Sequence, residues 1–329
     1  MSAKRKIRLT LAACLAVALV LPAHAQTTKP AKPGVKNAAP AAAAPAQPDS
    51  DVAYGAYQRG HYLTAFAEAK RRADATGDPK SMTLLGELYA NGQGVPLDEN
   101  KAAEWYKLAA GRGDRQAMFQ LALFRFTGRG GPTNRDEAVK LFTAAAKLGH
   151  PAAAYNLGLL YLDGDLFPQD FARAAELFRT AAEAGNPEAQ YALGTFYKEG
   201  RGVKQDPREA ARWLGAASSA GIVDAEVEYA IALFNGNGVT KNEAAATDLF
   251  LKSARRGSPI AQNRMANILA RGIGRAADPV EAAKWHLIAK AGGNGDPWLD
   301  DFVAKLTPDQ RAEAQKAAKP WLDLLAFNP

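Results

Sequence analysis

The chain has 329 residues and a formal net charge of +7. Residues 1–50 contain seven Lys/Arg and one acid, so this segment carries +6 and residues 51–329 carry only +1. Because the basic surplus lies at the N-terminus, the remainder of the chain gives no reason to expect nucleic-acid binding. The only cysteine, Cys14, is in the same segment, which excludes disulfides and a thiol nucleophile after residue 50.

Residues 1–25 have the three parts of a secretory signal peptide. Four basic residues precede the apolar run LTLAACLAVALVL, and the small-x-small triplet AHA precedes Gln26. We expect cleavage after Ala25 and a periplasmic or secreted mature chain. The string LAAC is similar to a lipobox and suggests lipid anchoring through Cys14, but the apolar run continues past Cys14, which argues against an anchor. No apolar stretch approaches the roughly 18 residues of a transmembrane helix.

Residues 26–50 are rich in proline and alanine and contain no aromatic residue. Such a composition can bury little apolar surface, so it predicts an extended, disordered linker. After residue 51 the composition changes to Ala, Leu, Glu, Lys and Arg with spaced aromatic residues, which favours helices.

From residue 78 to residue 293 the sequence repeats every 36 residues, six times, without an insertion or deletion. One loop position holds a glycine in every copy: Gly92, Gly128, Gly164, Gly200, Gly236 and Gly272. The end of every copy holds another: Gly113, Gly149, Gly185, Gly221, Gly257 and Gly293. A strict period of this length predicts small units that stack on one another.

Each copy is predicted to contain two helices of about three turns. The first ends at the loop glycine, which adopts the left-handed conformation without strain. The second begins after an Asp or Asn, both good N-cap residues. These six residues are Asp98, Asn134, Asp170, Asp206, Asn242 and Asp278. Because two short helices cannot bury their apolar faces alone, neighbouring copies must stack.

The stretch AQYALGTFYKEGRGVKQDPREAARWLGAASSAG, residues 189–221, carries a family resemblance. It resembles the Sel-one-like repeat family, a subclass of tetratricopeptide-like solenoids, in its secreted bacterial type. The resemblance implies an all-α fold: a right-handed α-solenoid of six 36-residue helix-turn-helix repeats with helical caps at both ends. The third copy departs from the pattern, since DGDLFPQD replaces the G-x-G-V loop. We therefore expect that turn to differ locally.

The expected domain boundaries follow from the repeat. Residues 51–77 form an N-terminal helical hairpin cap, residues 78–293 the repeats, and residues 294–329 a C-terminal helical cap. Asp296-Pro297 and Thr307-Pro308 each combine an N-cap residue with a proline, which predicts two further helices. Their apolar residues can cover the exposed end of the array.

No arrangement typical of a catalytic or metal site occurs. Three histidines follow the leader, His61, His150 and His286, and none forms an H-x-x-x-H pair with another. The chain has neither a G-x-S-x-G motif nor a phosphate-binding G-x-x-x-x-G-K-[ST] loop. Its acids and bases are spaced as on solvated helix faces. The sequence predicts no enzyme, no cofactor and no metal.

One face of the first helix is expected to line the groove of a tetratricopeptide-like array. This face is polar or small in the first and last copies, as at Glu87 and Asn267, and mostly apolar or aromatic in copies two to five. We call these eleven residues the first-helix strip: Phe119, Leu123, Phe126, Tyr155, Leu159, Leu162, Tyr191, Lys198, Val227, Ile231 and Phe234. Two interpretations stay open. Tight curvature can bury the strip as an additional core layer, or the strip can bind a partner segment.

These observations favour a non-enzymatic scaffold or regulator of the bacterial cell envelope, which binds a protein or peptide through the concave groove. The alternative is an envelope glycan- or peptidoglycan-associated binding protein or hydrolase. A polar cavity lined by His and Glu would favour that alternative, and the first-helix strip does not supply one.

Overall fold

The structure is a computed structural model, and it describes residues 52–327. The predicted signal peptide (residues 1–25, with Cys14) and linker (residues 26–50) lie outside the described residues. Over residues 52–327 the backbone forms sixteen helices and no strand. The all-α expectation is confirmed.

The helices follow one another with short connections. In chain order they are α1 (Val52–Gln58), α2 (Tyr62–Thr76), α3 (Pro79–Asn91), α4 (Glu99–Gly111), α5 (Arg115–Thr127), α6 (Arg135–Lys147), α7 (Pro151–Asp163), α8 (Phe171–Glu183), α9 (Pro187–Glu199), α10 (Pro207–Ser219), α11 (Val223–Asn235), α12 (Glu243–Arg255), α13 (Pro259–Arg271), α14 (Pro279–Ala291), α15 (Pro297–Ala304) and α16 (Pro308–Phe327).

The six repeats are helix pairs of constant length. Each of the twelve helices from α3 to α14 has 13 residues. The six predicted N-cap residues all accept a hydrogen bond from the first turn of the second helix. Asp98, for example, accepts from the backbone N–H of Lys101 at 3.0 Å. Such a cap is worth about 1 kcal/mol, so the repeated Asp or Asn fixes where each second helix begins.

The loop inside each repeat closes with one backbone hydrogen bond. The N–H of the N-cap residue donates to a carbonyl near the end of the first helix, as from Asp98 to Tyr89 at 3.0 Å. The third loop keeps this bond, from Asp170 to Tyr161 at 3.0 Å, although its sequence differs.

The third loop differs locally, as expected. Five loops have a second backbone bond at the end of the first helix, as from Gln93 to Leu88 at 2.9 Å, and the third loop lacks its counterpart from Asp165 to Leu160. Phe167 of this loop instead stacks on Tyr161 with ring centroids 4.7 Å apart.

A residue without a Cβ lets the two helices of a repeat approach closely. A Cβ on Gly86 of α3 would lie 2.5 Å from Cε1 of Tyr106 in α4. Gly158 and Gly194 have the same relation to Phe178 and Leu214. Contacts under 3.0 Å cannot be accommodated in a packed interior, so a large side chain, a ring in two of the three cases, fills the space that each glycine leaves.

The chain divides into two compact units, which meet in sequence between Ala144 and Ala145. In the first unit each helix from α1 to α5 contacts the next one in the chain. Leu85, Leu88, Tyr106 and Phe124 are buried in its core.

In the second unit each helix from α7 to α14 likewise contacts the next one, as in an α-solenoid, and α16 packs against α14. One core cluster centres on Phe178 and Leu193, and another on Phe250 and Met265. The indole rings of Trp285 and Trp321 lie 5.6 Å apart, which joins the last repeat to the C-terminal helix.

The second glycine of the loop contacts the preceding repeat. A Cβ on Gly202 would overlap the carbonyl of Phe171, the first residue of α8. Gly130 and Gly238 lie in the same way against the starts of α4 and α10. Each of these loops therefore rests on the backbone of the repeat before it, with no room for a side chain.

Replacing Gly202 by Ala tests this contact. Gly185, in a turn between repeats, is the matched control, because it also has a positive φ (87°, against 61° at Gly202) but has open space around a Cβ. A left-handed Ala costs about 1–2 kcal/mol, and overpacking adds about 1–3 kcal/mol. We expect Gly202→Ala to lower the free energy of unfolding by about 3 kcal/mol and Gly185→Ala by about 1–2 kcal/mol. Urea denaturation of the full chain, followed by circular dichroism, measures both. Equal losses would contradict the contact.

Candidate binding surface

The first-helix strip lies at the border between the core and the surface. Nine of its eleven residues are half-buried, whereas Phe119 and Val227 are buried, with 6% and 4% of their surface exposed. The partner-binding role of all eleven residues stays a prediction. The strip is described separately in the two units.

In the first unit the strip comprises three residues of α5: Phe119, Leu123 and Phe126. Phe119 packs against Phe142 with ring centroids 5.9 Å apart, so it contributes to the core. The guanidinium of Arg135 lies 5.4 Å from the centroid of the Phe126 ring. This part of the strip is therefore already in contact with side chains of α6.

In the second unit the strip comprises residues of α7, α9 and α11. The half-buried side chains of α7 and α11 pack with one side against the core clusters, as Tyr155 does on Phe178 at 5.6 Å between ring centroids. Burial, and then the carboxylates of Asp224 and Glu228, raise the pKa of Tyr191 to about 12. Lys198 forms an ion pair with Glu228 at 2.9 Å. These side chains are held in place on the core side and remain partly accessible on the other.

The strip of the second unit ends in a cavity of about 590 Å³. We call it the α13 cavity, because six of the residues that line it belong to α13. Ile231 and Phe234 of the strip form part of its wall. The complete lining is Ile231, Phe234, Asn235, Phe250, Ile260, Asn263, Arg264, Asn267, Ile268, Arg271, Ile273, Asn294 and Asp296.

A hydrogen-bonded group joins α13 to the loop before α15. Asn263 Nδ2 donates to the carbonyl of Asn294 at 3.3 Å, and Asn267 Nδ2 donates to Asp296 Oδ2 at 3.0 Å. Hydrogen bonds from Asn267 and from the backbone N–H groups of Trp298 and Leu299 hold the pKa of Asp296 below its usual value, although burial acts in the opposite direction. Asp296 is therefore ionised at neutral pH.

A smaller cavity of about 400 Å³ lies in the first unit. Glu87 lines it, beside Thr83 and Asp114, whose side chains are hydrogen-bonded at 3.0 Å. Burial, and then the negative charge of Asp114, raise the pKa of Glu87 to about 7. The polar face that the sequence predicts for the first repeat thus contains one carboxyl that resists ionisation.

Another carboxylate, Glu226 of α11, is fully buried and fully paired. It accepts hydrogen bonds from Ser253 and Arg256, both at 2.9 Å, and pairs with Lys252 at 2.6 Å. Burial raises its pKa, but hydrogen bonds from Lys252 and Ser253 and the neighbouring charges outweigh this effect and lower it. With its oxygens occupied, Glu226 joins α11 to α12 rather than serving as a catalytic base.

Sequence reasoning missed most of the α13 cavity, including Ile260, Arg264 and Arg271. A weak signal was present, because only the sixth repeat has isoleucine or arginine at these positions, although the other five also differ among themselves. Within residues 52–327 there is no group of three His, Cys, Asp or Glu side chains that could hold a metal ion. Over the same residues no helix combines the length and the apolar character that crossing a bilayer requires.

The Sel1 repeat family model matches six consecutive segments, residues 79–114, 115–150, 151–186, 187–222, 223–258 and 259–294. The chain belongs to the Sel1 repeat family. Sel1 repeat proteins generally mediate protein–protein interaction, and their scaffold is generally non-catalytic. A search of the curated proteins finds no match.

Two solved structures of Sel1 repeat proteins are similar to this chain. A protective antigen present in uropathogenic Escherichia coli strains, which displays an SLR fold, is 28% identical with a TM-score of 0.69. The match covers 82% of this chain and 61% of the antigen, so this chain spans less than two thirds of the antigen's length. A Sel1 repeat protein from Oxalobacter formigenes is 29% identical with a TM-score of 0.63, over 73% of this chain and 98% of that protein.

The raised pKa of Glu87 predicts a pH-dependent stability that Glu87→Gln removes. The folded state binds the proton more tightly than the unfolded state, so the wild-type chain loses stability as the pH rises from about 4.5 to about 7. Glu87→Gln should match the wild type below that range and exceed it above, by up to about 3 kcal/mol. Urea denaturation at a series of pH values measures the difference. Glu104→Gln, at an exposed carboxyl on α4, is the control, and a parallel pH dependence of wild type and Glu87→Gln would contradict the prediction.

Proposed function

We propose that the mature chain is a non-enzymatic scaffold or regulator in the bacterial cell envelope, and that the first-helix strip of its second unit binds a segment of a partner protein. One observation carries this proposal. Apolar and aromatic side chains on α7 and α11 stay partly accessible while their inner sides pack on the core, and the strip ends in the α13 cavity.

Such side chains suit a binding surface for a physical reason. A half-buried aromatic ring that is held on one side loses little conformational freedom when a partner covers the other side. Tyr155, which packs on Phe178, is a ring of this kind, and Tyr191 is half-buried on the next first helix. The ion pair of Lys198 and Glu228 supplies a polar border, as is usual around the apolar centre of an interface.

The envelope location in this proposal depends on the N-terminal sequence alone. A basic segment, an apolar run and a small-x-small site are the features by which secretory leaders are recognised. Lipid anchoring through Cys14 is not part of the proposal, because the apolar run continues beyond that residue.

A glycan-binding role has one observation in its favour, the polar group of Asn263, Asn267 and Asp296 in the α13 cavity. Sugars also need an accessible aromatic face to stack on. The ring of Trp298, next to Asp296 in the sequence, is already contacted by Arg271 at 4.0 Å and by Phe302 at 5.9 Å. Of the two phenylalanines in the lining, Phe250 is buried in the core cluster and Phe234 packs against that cluster. The protein-binding proposal is therefore the better supported of the two.

The experiment compares the wild-type mature chain with the double variant Tyr155→Lys/Tyr191→Lys. Each is used for crosslinking and affinity capture from an envelope extract, after circular dichroism has tested its folding. Leu148→Lys is the control, since Leu148 is also apolar and is 49% exposed outside the strip. We expect the wild type and the control to capture one stoichiometric protein, and the folded double variant to lose it.

Three other outcomes would contradict this expectation. If the double variant unfolds, the two tyrosines belong to the core. If it folds and keeps the partner, the strip is not the binding site. If the wild type retains peptidoglycan or another glycan and no protein, the alternative function is favoured.

A further inference from the structure

We propose that the α13 cavity binds a short extended peptide segment in which an apolar side chain lies next to carboxylates. Arg264 and Arg271 would hold the carboxylates, and Ile260 would contact the apolar side chain. This inference rests on the proposed function and names the chemistry of the partner segment.

The first argument comes from the internal repeat. Residues that serve the scaffold recur at the same position in every copy, whereas the positions below vary among the copies, so the scaffold does not dictate which residue stands there. At the position of Ile260 the other copies carry Lys80, Gln116, Ala152, Glu188 and Asp224. At the position of Ile273 they carry Gln93, Arg129, Asp165, Arg201 and Asn237. Both isoleucines line the α13 cavity.

The two arginines also occur in the sixth copy alone. The other copies carry Leu84, Gln120, Asn156, Ala192 and Glu228 at the position of Arg264. They carry Asn91, Thr127, Asp163, Glu199 and Asn235 at the position of Arg271. The sixth repeat thus places two new cations and two new apolar side chains around one cavity.

The second argument is the absence of a counter-charge. Within residues 52–327 neither Arg264 nor Arg271 has an acidic side chain within ion-pair distance, whereas Arg256 and Lys198 pair with Glu226 and Glu228. The guanidinium of Arg271 lies 4.0 Å from the centroid of the Trp298 ring, which orients it and leaves its N–H groups available. Two unpaired guanidinium groups favour a carboxylate ligand, since the planar fork of arginine matches carboxylate geometry.

The third argument separates a peptide from a simple anion. Ile260 is 52% exposed at the cavity, and Ile231 and Phe234 are half-buried in its wall, so the ligand needs an apolar part. Asn267 uses its Nδ2 group for Asn263 and Asp296, while its Oδ1 has no donor within residues 52–327. This oxygen is available to accept from an N–H or O–H donor of a ligand. A peptide backbone supplies that N–H, and a fully ionised phosphate does not.

Asp296 determines where the acidic group of the ligand can lie. Its oxygens already accept from Asn267 and from the backbone N–H groups of Trp298 and Leu299, and it remains negatively charged. A second carboxylate beside it would be repelled. The acidic part of the ligand is thus expected at Arg264 and Arg271, and the backbone N–H at Asn267.

The test uses fluorescence anisotropy with the full chain and a fluorescein-labelled peptide, Gly-Ser-Glu-Leu-Glu-Glu-Ser. Two control peptides replace its three glutamates by lysine or its leucine by serine. We expect saturable binding of the first peptide that weakens as salt is added, because charge attraction between exposed groups is screened. Both control peptides should bind at least tenfold more weakly.

The variants locate the binding site. Arg264→Glu and Ile260→Asp should each weaken binding at least tenfold, and both residues are exposed, so folding should be unaffected. Arg255→Glu, on the neighbouring α12, is exposed and lies outside the cavity lining, and it should change affinity by less than twofold.

The proposal is overturned if the glutamate peptide does not bind, if the lysine peptide binds equally well, or if Arg264→Glu binds as the wild type does. Competition by inorganic phosphate at concentrations similar to those of the peptide would indicate a general anion site and would also overturn it. The capture experiment separates the two proposals. If Arg264→Glu keeps the envelope partner and Tyr155→Lys/Tyr191→Lys loses it, the strip binds the partner and the cavity inference fails.

Discussion

The contact between a loop glycine and the backbone of the preceding repeat is the main constraint on the stacking, although the third repeat has Leu166 at that position. Gly130, Gly202 and Gly238 each lie against the first residue of an earlier second helix, with no space for a Cβ. Since this contact joins successive repeats through main-chain atoms, it sets their spacing almost independently of the side chains. The core then needs only an approximate fit, and large rings such as Tyr106 and Phe178 fill the space left by the helical glycines.

This division of roles explains which features could be predicted from the sequence. Helix ends depend on local rules, such as an Asp or Asn at the N-cap and a glycine at the left-handed end, and both recur every 36 residues. The all-α repeat architecture could therefore be predicted from the sequence. The local difference of the third loop also followed from the sequence, because it lacks the second glycine, and its Phe167 stacks on Tyr161.

The candidate site was harder to predict from the sequence, because it depends on distances between residues that are far apart in sequence. The helical pattern placed Phe119 and Tyr191 on the same face, but only packing decides that the first is buried and the second half-buried. The repeat pattern indicates even less about the α13 cavity. Asn294 and Asp296, which come after α14, complete it, and the pattern says nothing about them. The unpaired charges of Arg264 and Arg271 likewise become evident only when their neighbours are known.

The hydrogen bond between Asn267 and Asp296 places the α13 cavity at the junction of the last repeat and the C-terminal helices. An internal repeat must match a neighbour on both sides, so its surface residues can change only within narrow limits. The terminal repeat meets another repeat on one side only, and α14 packs against α16 on the other. With a peptide in the α13 cavity as proposed, substitutions there change the preferred ligand and leave the fit between the other repeats intact. One scaffold can then serve different partners by changing at this single end.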